Sequence, residues 1–381
     1  MKICFFTGSR AEYGLIKDIF KELKKKNFHV DLVVSGSHFL REYGFSYKEI
    51  LSDNIKISKS IRINLKRTTS YNITKMFAKT VEKINLYLKK KKFDLFVVVG
   101  DRYETFAASI AAYINNIPIC HFHGGELSFN SLDDNFRHSI SKLSKIHFVA
   151  HKNYKKRLLQ LGENKNNIII SGGLGADAVK KVEIYSKDKL KEILKISKVY
   201  KKLIVVNYYP EIHTLKKSEE SLTSIFKTIL HFKNVCFVFT LPSIDTNVDI
   251  FKKKIIDFSL NNQNCKVFAN LGQKKYFSLL NSSNLMLGNS SSGILEMPSF
   301  AKYTLNIGER QKGRIFSKSI IQTEPNPKSL IKNINKYIDK ISRFKNPFYK
   351  SNTIRIIMNK FIQMKKNRNL LNNYKEFLDI K

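Results

Sequence analysis

Residues 95–126 read LFVVVGDRYETFAASIAAYINNIPICHFHGGE. The run LFVVV at 95–99, bounded by Gly100, has the length and branched-residue content of a strand buried on both faces. Glu104 to Asn115 is spaced as a helix, and IPICHF at 117–122 returns to a buried strand. Strand, helix and strand in this compass form a βαβ unit, the building block of a parallel sheet. Ligands of such sheets bind beyond the C-terminal ends of the strands. The polar residues that follow, GDRYE at 100–104 and HGGE at 123–126, are therefore the first places to look for chemistry.

The same rhythm extends both ways. Strands are expected at 2–7, 30–34, 146–150 and 167–172, with helices near 11–25, 71–90, 134–143 and 152–161. GGLGAD at 172–177 interrupts it, and a lysine-rich helix follows. Strands then resume at 202–208, 234–240, 266–270, 284–289 and 303–308, with helices near 217–229, 274–281 and 326–341. This predicts an α/β chain of two doubly wound, Rossmann-like domains, residues 1–175 and 176–350, with a hinge near 175–200. Ile354, Ile357, Met358 and Phe361 are spaced as the apolar face of a last helix, from Ser351 to about Tyr374 within the closing segment 351–381.

Composition narrows the function classes. The formal charge is +37, yet lysine outnumbers arginine several-fold and is spread from end to end. That distribution fills solvated faces, whereas a nucleic-acid binder concentrates its charge and grips phosphate with arginine. The field still draws anionic substrates. Cys4, Cys120, Cys236 and Cys265 lie far apart in apolar runs and read as buried thiols in a reducing compartment. With no signal-peptide pattern and no run of about 20 apolar residues, a cytoplasmic location with no membrane partner is expected.

Five stretches, together with Asp101, carry candidate chemistry. TGSRAEYG at 7–14 opens a helix without the three-glycine dinucleotide fingerprint, and Arg10 stands beside helix N-terminal amides suited to a diphosphate. Asp101 is a base candidate; pairing with Arg102 is its ordinary alternative. HFHGGELSFNSLDDNFRH at 121–138 gathers His121, His123, Glu126, Asp133, Asp134, Arg137 and His138, a mixture whose members can push one another's proton affinities apart. Its two glycines let the backbone pass close to a ligand. The spacing matches no recognised metal site and Arg137 would oppose a cation, so neither metal nor redox cofactor is expected. In GNSSSGILEMPSF at 288–300, Ser290, Ser291 and Ser292 enter a helix and form an anion or hydroxyl cradle, with Glu296 on its first turn placed for a ribose. NIGERQKGR at 306–314 adds Arg310, Lys312 and Arg314 as a second phosphate clamp. In NYYPEIHT at 207–214, Tyr209 follows a strand and is expected to face an interdomain cleft, whereas His213 reads as surface loop.

In their order and spacing these motifs resemble the UDP-N-acetylglucosamine 2-epimerase family over residues 3–320, and its hydrolysing branch most. The resemblance implies a glycosyltransferase-B-like architecture with substrate in the interdomain cleft, the last helix crossing back to the first domain, and a homodimer. It also implies a nucleotide-sugar substrate and a mechanism: C2 loses its proton as the nucleotide diphosphate leaves C1, then water adds to the resulting glycal. By motif, Arg10 holds diphosphate, Asp101 and Asp133 move protons beside Arg137, the serines bind nucleotide and Glu296 binds ribose. Two positions depart from the pattern. His123 stands where many relatives have glutamate, so either His123 or Glu126 moves the proton. Tyr209 replaces a phosphate-facing histidine. The HxHGGE form resembles members acting on 2,4-diacetamido-trideoxy sugars. A non-hydrolysing epimerase and a glycosyltransferase are the competing readings, with a nucleic-acid-binding protein the remote one.

Overall fold

The computed structural model describes residues 1–63, 69–129, 131–211, 214–242 and 248–379, which leaves His213 outside the described residues. The chain divides into two compact units. The first comprises Met1–Glu126, Leu132–Asp177 and Phe348–Lys381, and the second Leu127–Ser131 and Ala178–Pro347.

Among the described residues, the first unit carries a seven-stranded parallel sheet. Its strands are β1 (Lys2–Thr7), β2 (His29–Val34), β3 (Lys59–Ser60), β4 (Leu95–Val99), β5 (Ile119–Phe122), β6 (Ile146–Val149) and β7 (Ile168–Ile170). Their order is β3-β2-β1-β4-β5-β6-β7. The order reverses at β1, which pairs with both β2 and β4, so a crevice opens there beyond the strand ends. The connecting helices are α1 (Arg10–Lys25), α2 (Tyr47–Ser52), α3 (Ser70–Lys90), α4 (Tyr103–Ile114), α5 (Leu132–Leu143) and α6 (Lys152–Gln160), and the division between the units falls within α7 (Leu174–Val179). Helix α1 shows why the local sequence folds so. Ser9 caps it in a reciprocal box with Glu12, and Tyr13, Ile16, Phe20 and Leu23 recur on one buried face.

The second unit repeats the plan with β8 (Lys202–Asn207), β9 (Val235–Thr240), β10 (Cys265–Phe268), β11 (Leu285–Gly288), β12 (Tyr303–Ile307) and β13 (Ile320–Thr323). Their order, again parallel, is β10-β9-β8-β11-β12-β13, so the switch falls between β8 and β11. Its helices are α8 (Lys187–Ile193), α9 (Leu215–His231), α10 (Val248–Leu260), α11 (Gly272–Ser282), α12 (Ser292–Leu295) and α13 (Pro327–Tyr337). Alternate residues of β8 enter two separate cores: Ile204 and Val206 on one face, Leu203 and Val205 on the other. Burial on both faces is why these strands read as continuous apolar runs.

The last helix, α14 (Thr353–Lys366), belongs to the first unit. Ile357, Met358, Phe361 and Met364 complete the core that holds Phe5 and Phe122. The rings of Phe122, Phe148 and Phe361 stack in series, at centroid spacings of 4.7 and 6.1 Å. The helix ends at Lys366, short of the expected 374, because the asparagine-rich segment beyond it favours local side-chain bonds over helix: Asn367 caps a short 3-10 turn through Asn369. All four cysteines are free and buried, and burial pushes the Cys236 and Cys265 thiols up to about 12. No helix among the described residues is long and apolar enough to cross a membrane.

Candidate active site

In the first unit the polar residues that follow β1, β4 and β5 meet at the sheet's C-terminal edge. Arg10 is the first residue of α1. The amides expected to be available beside it are in use, since Gly8 N and Ser9 N donate to Glu12 Oε2 at 2.5 and 3.0 Å. Thr105 Oγ1 donates to the other oxygen of Glu12 at 2.9 Å. Burial, and then the neighbouring Glu104, push the Glu12 carboxyl up to about 7. Arg10 thus stands at this edge beside amides that Glu12 partly takes up.

Asp101 does not pair with Arg102. Arg102 forks onto buried Glu104 through Nε and an outer nitrogen at 3.1 and 3.3 Å. Asp101 instead accepts from Arg137, delivered from α5, whose other outer nitrogen donates to Asp134 at 3.1 Å. The Arg137 side chain is 1% exposed whereas Asp101 keeps 22%. One oxygen of Asp101 is therefore tied to a buried cation while the carboxylate still opens to the crevice. Asp133 and Asp134 both lie in the first turn of α5, where carboxylates complement the helix dipole. Asp134 also lies 3.7 Å from His138 Nε2.

The two histidines of HFH serve different ends. His121 is fully buried; Nε2 donates to Gly100 O at 2.7 Å, which leaves Nδ1 to accept from Ser141 Oγ at 3.1 Å. Burial lowers its proton affinity to about 3, so it stays neutral and ties the end of β4 to β5 and α5. Sequence reasoning grouped it with the proton-transfer candidates; the geometry makes it structural. His123 Nδ1 lies 2.6 Å from Glu126 Oε1, with both side chains almost wholly enclosed. The glycines between them face protein, contrary to the expectation of a ligand. A Cβ on Gly124 would meet Ser141 Oγ at 2.8 Å, and one on Gly125 would run into the Tyr154 carbonyl.

The second unit builds its strand ends from neutral groups. Asn289 zips β8 to β11, its Oδ1 accepting from Tyr209 N and its Nδ2 donating to Tyr209 O, both at 2.8 Å. A chain of hydrogen bonds runs from Thr240 through Asn207 and Tyr276 to Ser292 Oγ. Ser290 Oγ accepts from Ser292 N at 3.3 Å, and Ser291 is the N-cap of α12. That helix is a single turn, so Glu296, expected on its first turn, is its C-cap. The Arg310 guanidinium lies 4.7 Å from the centre of the Tyr209 ring and donates to Asn289 O at 3.3 Å. Arg314 is engaged internally: Nε donates to Leu127 O at 2.5 Å and an outer nitrogen to Ser128 Oγ at 3.2 Å. Lys312 pairs with Glu309 at 2.9 Å. Of the expected second clamp, Arg310 alone stands among the groups that gather around Asn289.

Sequence reading missed His38, which bridges Thr7 Oγ1 at 3.0 Å and Ser46 Oγ at 2.9 Å, with burial lowering its proton affinity to about 3. It also missed the carboxylates of Glu12 and Glu104. The one local signal was the capping-box spacing of Ser9 and Glu12. Among the described residues no cluster of three metal-ligating side chains occurs.

Comparison with known proteins supplies the family. A curated polysialic acid biosynthesis protein P7 of Escherichia coli is 33% identical over 100% of this chain and 97% of its own length. A hydrolysing GDP/UDP-N,N'-diacetylbacillosamine 2-epimerase of Campylobacter jejuni is 35% identical over 85% of each chain. Among solved structures, the fold matches a UDP-GlcNAc 2-epimerase from Neisseria meningitidis bound to UDP-GlcNAc, with a TM-score of 0.80 and 20% identity over 95% of this chain and 100% of that one. A Methanocaldococcus jannaschii UDP-GlcNAc 2-epimerase matches with a TM-score of 0.81 and 19% identity, at the same coverage. A profile of the family described as UDP-N-acetylglucosamine 2-epimerase matches residues 21–361, and with relatives this similar along nearly the whole chain, the protein belongs to that family.

Proposed function

We propose that this protein is a hydrolysing 2-epimerase that converts a nucleotide-activated acetamido sugar to the free 2-epimer and nucleoside diphosphate. The observation that carries the reading is the pair of proton-handling groups at adjacent strand ends, Asp101 held by Arg137 and His123 held by Glu126. Inversion at C2 needs one group to take a proton and another to return it on the opposite face, and two separately held acid/base units meet that need. In the first half, the C2–H electrons form a C1=C2 bond as the C1–O bond breaks and the diphosphate leaves with its electron pair. In the second, water adds its hydroxyl to C1 of the glycal while a proton returns to C2.

The first unit supplies this chemistry through Asp101, His123, Glu126, Asp133 and Arg137, with Arg10 set for the diphosphate. The second holds the nucleotide through Ser290, Ser291, Ser292, Glu296 and Arg310, with Tyr209 bracing Arg310. Arg314 stands with Arg310 in the second phosphate clamp, its guanidinium steadied through Nε and one outer nitrogen on Leu127 O and Ser128 Oγ. The relatives named for N,N'-diacetylbacillosamine favour a UDP-2,4-diacetamido-2,4,6-trideoxyglucose substrate over UDP-N-acetylglucosamine, in the making of nine-carbon sialic-acid-like sugars. We place the enzyme in the cytoplasm as a homodimer, in keeping with four reduced thiols and the family resemblance.

The test is product analysis with each UDP-sugar. Equimolar free 2-epimer and UDP are expected, with faster turnover of the diacetamido substrate. An epimerised sugar still attached to UDP would move the protein to the non-hydrolysing branch. Transfer of the sugar to an acceptor would make it a glycosyltransferase.

A further inference from the structure

Three features of the loop after β5 converge on one atom. His123 adopts φ +67°, a left-handed conformation that is unfavourable for a residue other than glycine. Its backbone is held there by a hydrogen bond from its N–H to Phe148 O at 3.0 Å. The imidazole is enclosed, with Nδ1 2.6 Å from Glu126 Oε1. A carboxylate can only accept, so Nδ1 carries the proton and Nε2 keeps its lone pair. Nε2 is buried and has no hydrogen-bond partner. A buried nitrogen lone pair without a donor is unfavourable in a resting protein, and a strained backbone that holds it so is a mark of function.

We propose that Nε2 of His123 is the base that takes the C2 proton, and that Glu126 is a positioning residue that fixes the Nδ1–H tautomer and balances the imidazolium formed. This rests on the reaction proposed above and divides two roles the sequence left open. The step balances: Nε2 gains the proton, the C2–H electrons form the C1=C2 bond, and the diphosphate leaves with the C1–O electrons. Asp101, on the neighbouring strand end, is left to relay a proton from the attacking water to C2 in the second half, as the water's hydroxyl adds to C1. Glu126, on the same loop, touches His123, and His121 precedes it on β5. Asp101 follows β4, Arg137 and Arg157 come from α5 and α6, and His147 comes from β6. His121 stays neutral, and Arg157 is engaged on Gly125 O, so Glu126 is the charged side chain in direct contact with His123.

The test compares Glu126→Gln, His123→Glu and the double variant in the full-length enzyme, with UDP affinity and melting temperature confirming that each folds. Glu126→Gln keeps an acceptor for Nδ1 but loses the charge. Its kcat is expected to fall on the order of 10²-fold with little change in KM, and the acid limb of kcat/KM to move to lower pH. His123→Glu supplies a base that needs no imidazole partner. It is expected to retain measurable turnover, with an acid limb in the carboxylate range, and to lose nothing further when Glu126→Gln is added. Wild-type kcat and an unmoved acid limb in Glu126→Gln would overturn the proposal, as would full additivity in the double variant. Wild-type enzyme that releases no free sugar from either substrate would instead defeat the broader reading, so the two failures are distinct.

Discussion

The strand ends of the two units are built from the same topology and opposite chemistry. In the first, ionised or ionisable partners are matched in pairs with at least one buried member: Asp101 with Arg137, Arg102 with Glu104, His123 with Glu126. In the second, amides and hydroxyls form a neutral lattice in which Asn289 grips Tyr209 and Tyr276 links Asn207 to Ser292. Buried charge pairs are expensive to assemble, and breaking one leaves an unmatched charge in a low dielectric. Neutral networks give fixed dipoles that bind without changing protonation. The comparison teaches that a parallel sheet offers a position, and that side-chain type decides whether it moves protons or holds a ligand still.

The comparison breaks most sharply at Asp101. Asp101→Asn preserves shape and removes the charge, and turnover is expected to fall by about 10²–10⁴-fold while UDP affinity by calorimetry stays within a few-fold. Turnover near wild type would remove Asp101 from the chemistry. In the second unit the sign of the split reverses. Arg310→Ala should weaken UDP binding by roughly 10- to 100-fold, the worth of one charged hydrogen bond, whereas unchanged UDP affinity would deny it a nucleotide role. Ser290→Ala, which removes one neutral hydroxyl of several, should cost only a few-fold in the same titration. A larger loss than for Arg310→Ala would invert the assignment.

The smallest effect is a stability slope. His38 and His121 are held neutral by burial, with folded values of about 3 against 6.5 when unfolded. Their contribution is fully present above pH 6.5 and declines as pH falls towards 3, by up to about 1.4 kcal/mol per pH unit each. Glu12 has the opposite sign. Raised to about 7, it favours the fold below pH 4.5 and loses that contribution as pH rises through 7. Two histidines outweigh one glutamate between pH 6.5 and 4.5, so the melting temperature should fall across that window, and less steeply in His121→Asn. Equal slopes for variant and wild type would show that His121 is not buried neutral.

Much of this molecule was legible because period and burial coincide. LFVVV, KLIVVN and NVCFVF declared buried strands, since parallel strands covered on both faces leave no polar alternation. What escaped was what local pattern does not carry. β3 is a two-residue strand, β13 (IIQT) half apolar, and α10 (VDIFKKKIIDFSL) is interrupted by three consecutive lysines, of which Lys252 lies on the buried face with Val248, Phe251 and Ile255. At the candidate site, the residue types and their motif positions could be read, but their partners could not. Nothing local says that Asp101 finds Arg137 and leaves Arg102 to Glu104, or that Gly124 and Gly125 yield to Ser141 and Tyr154. Those pairings depend on how α4, α5 and α6 seat against the sheet, which is a tertiary fact.

The central claim is that the protein inverts C2 by removing and returning its proton while releasing the sugar. The most direct measurement is proton NMR of the purified enzyme in D2O with UDP-2,4-diacetamido-2,4,6-trideoxyglucose and, separately, UDP-N-acetylglucosamine. The expected result is a free 2-epimer carrying deuterium at C2, with UDP released in step. A free sugar that retains its original hydrogen at C2, or no product from either substrate, would contradict it.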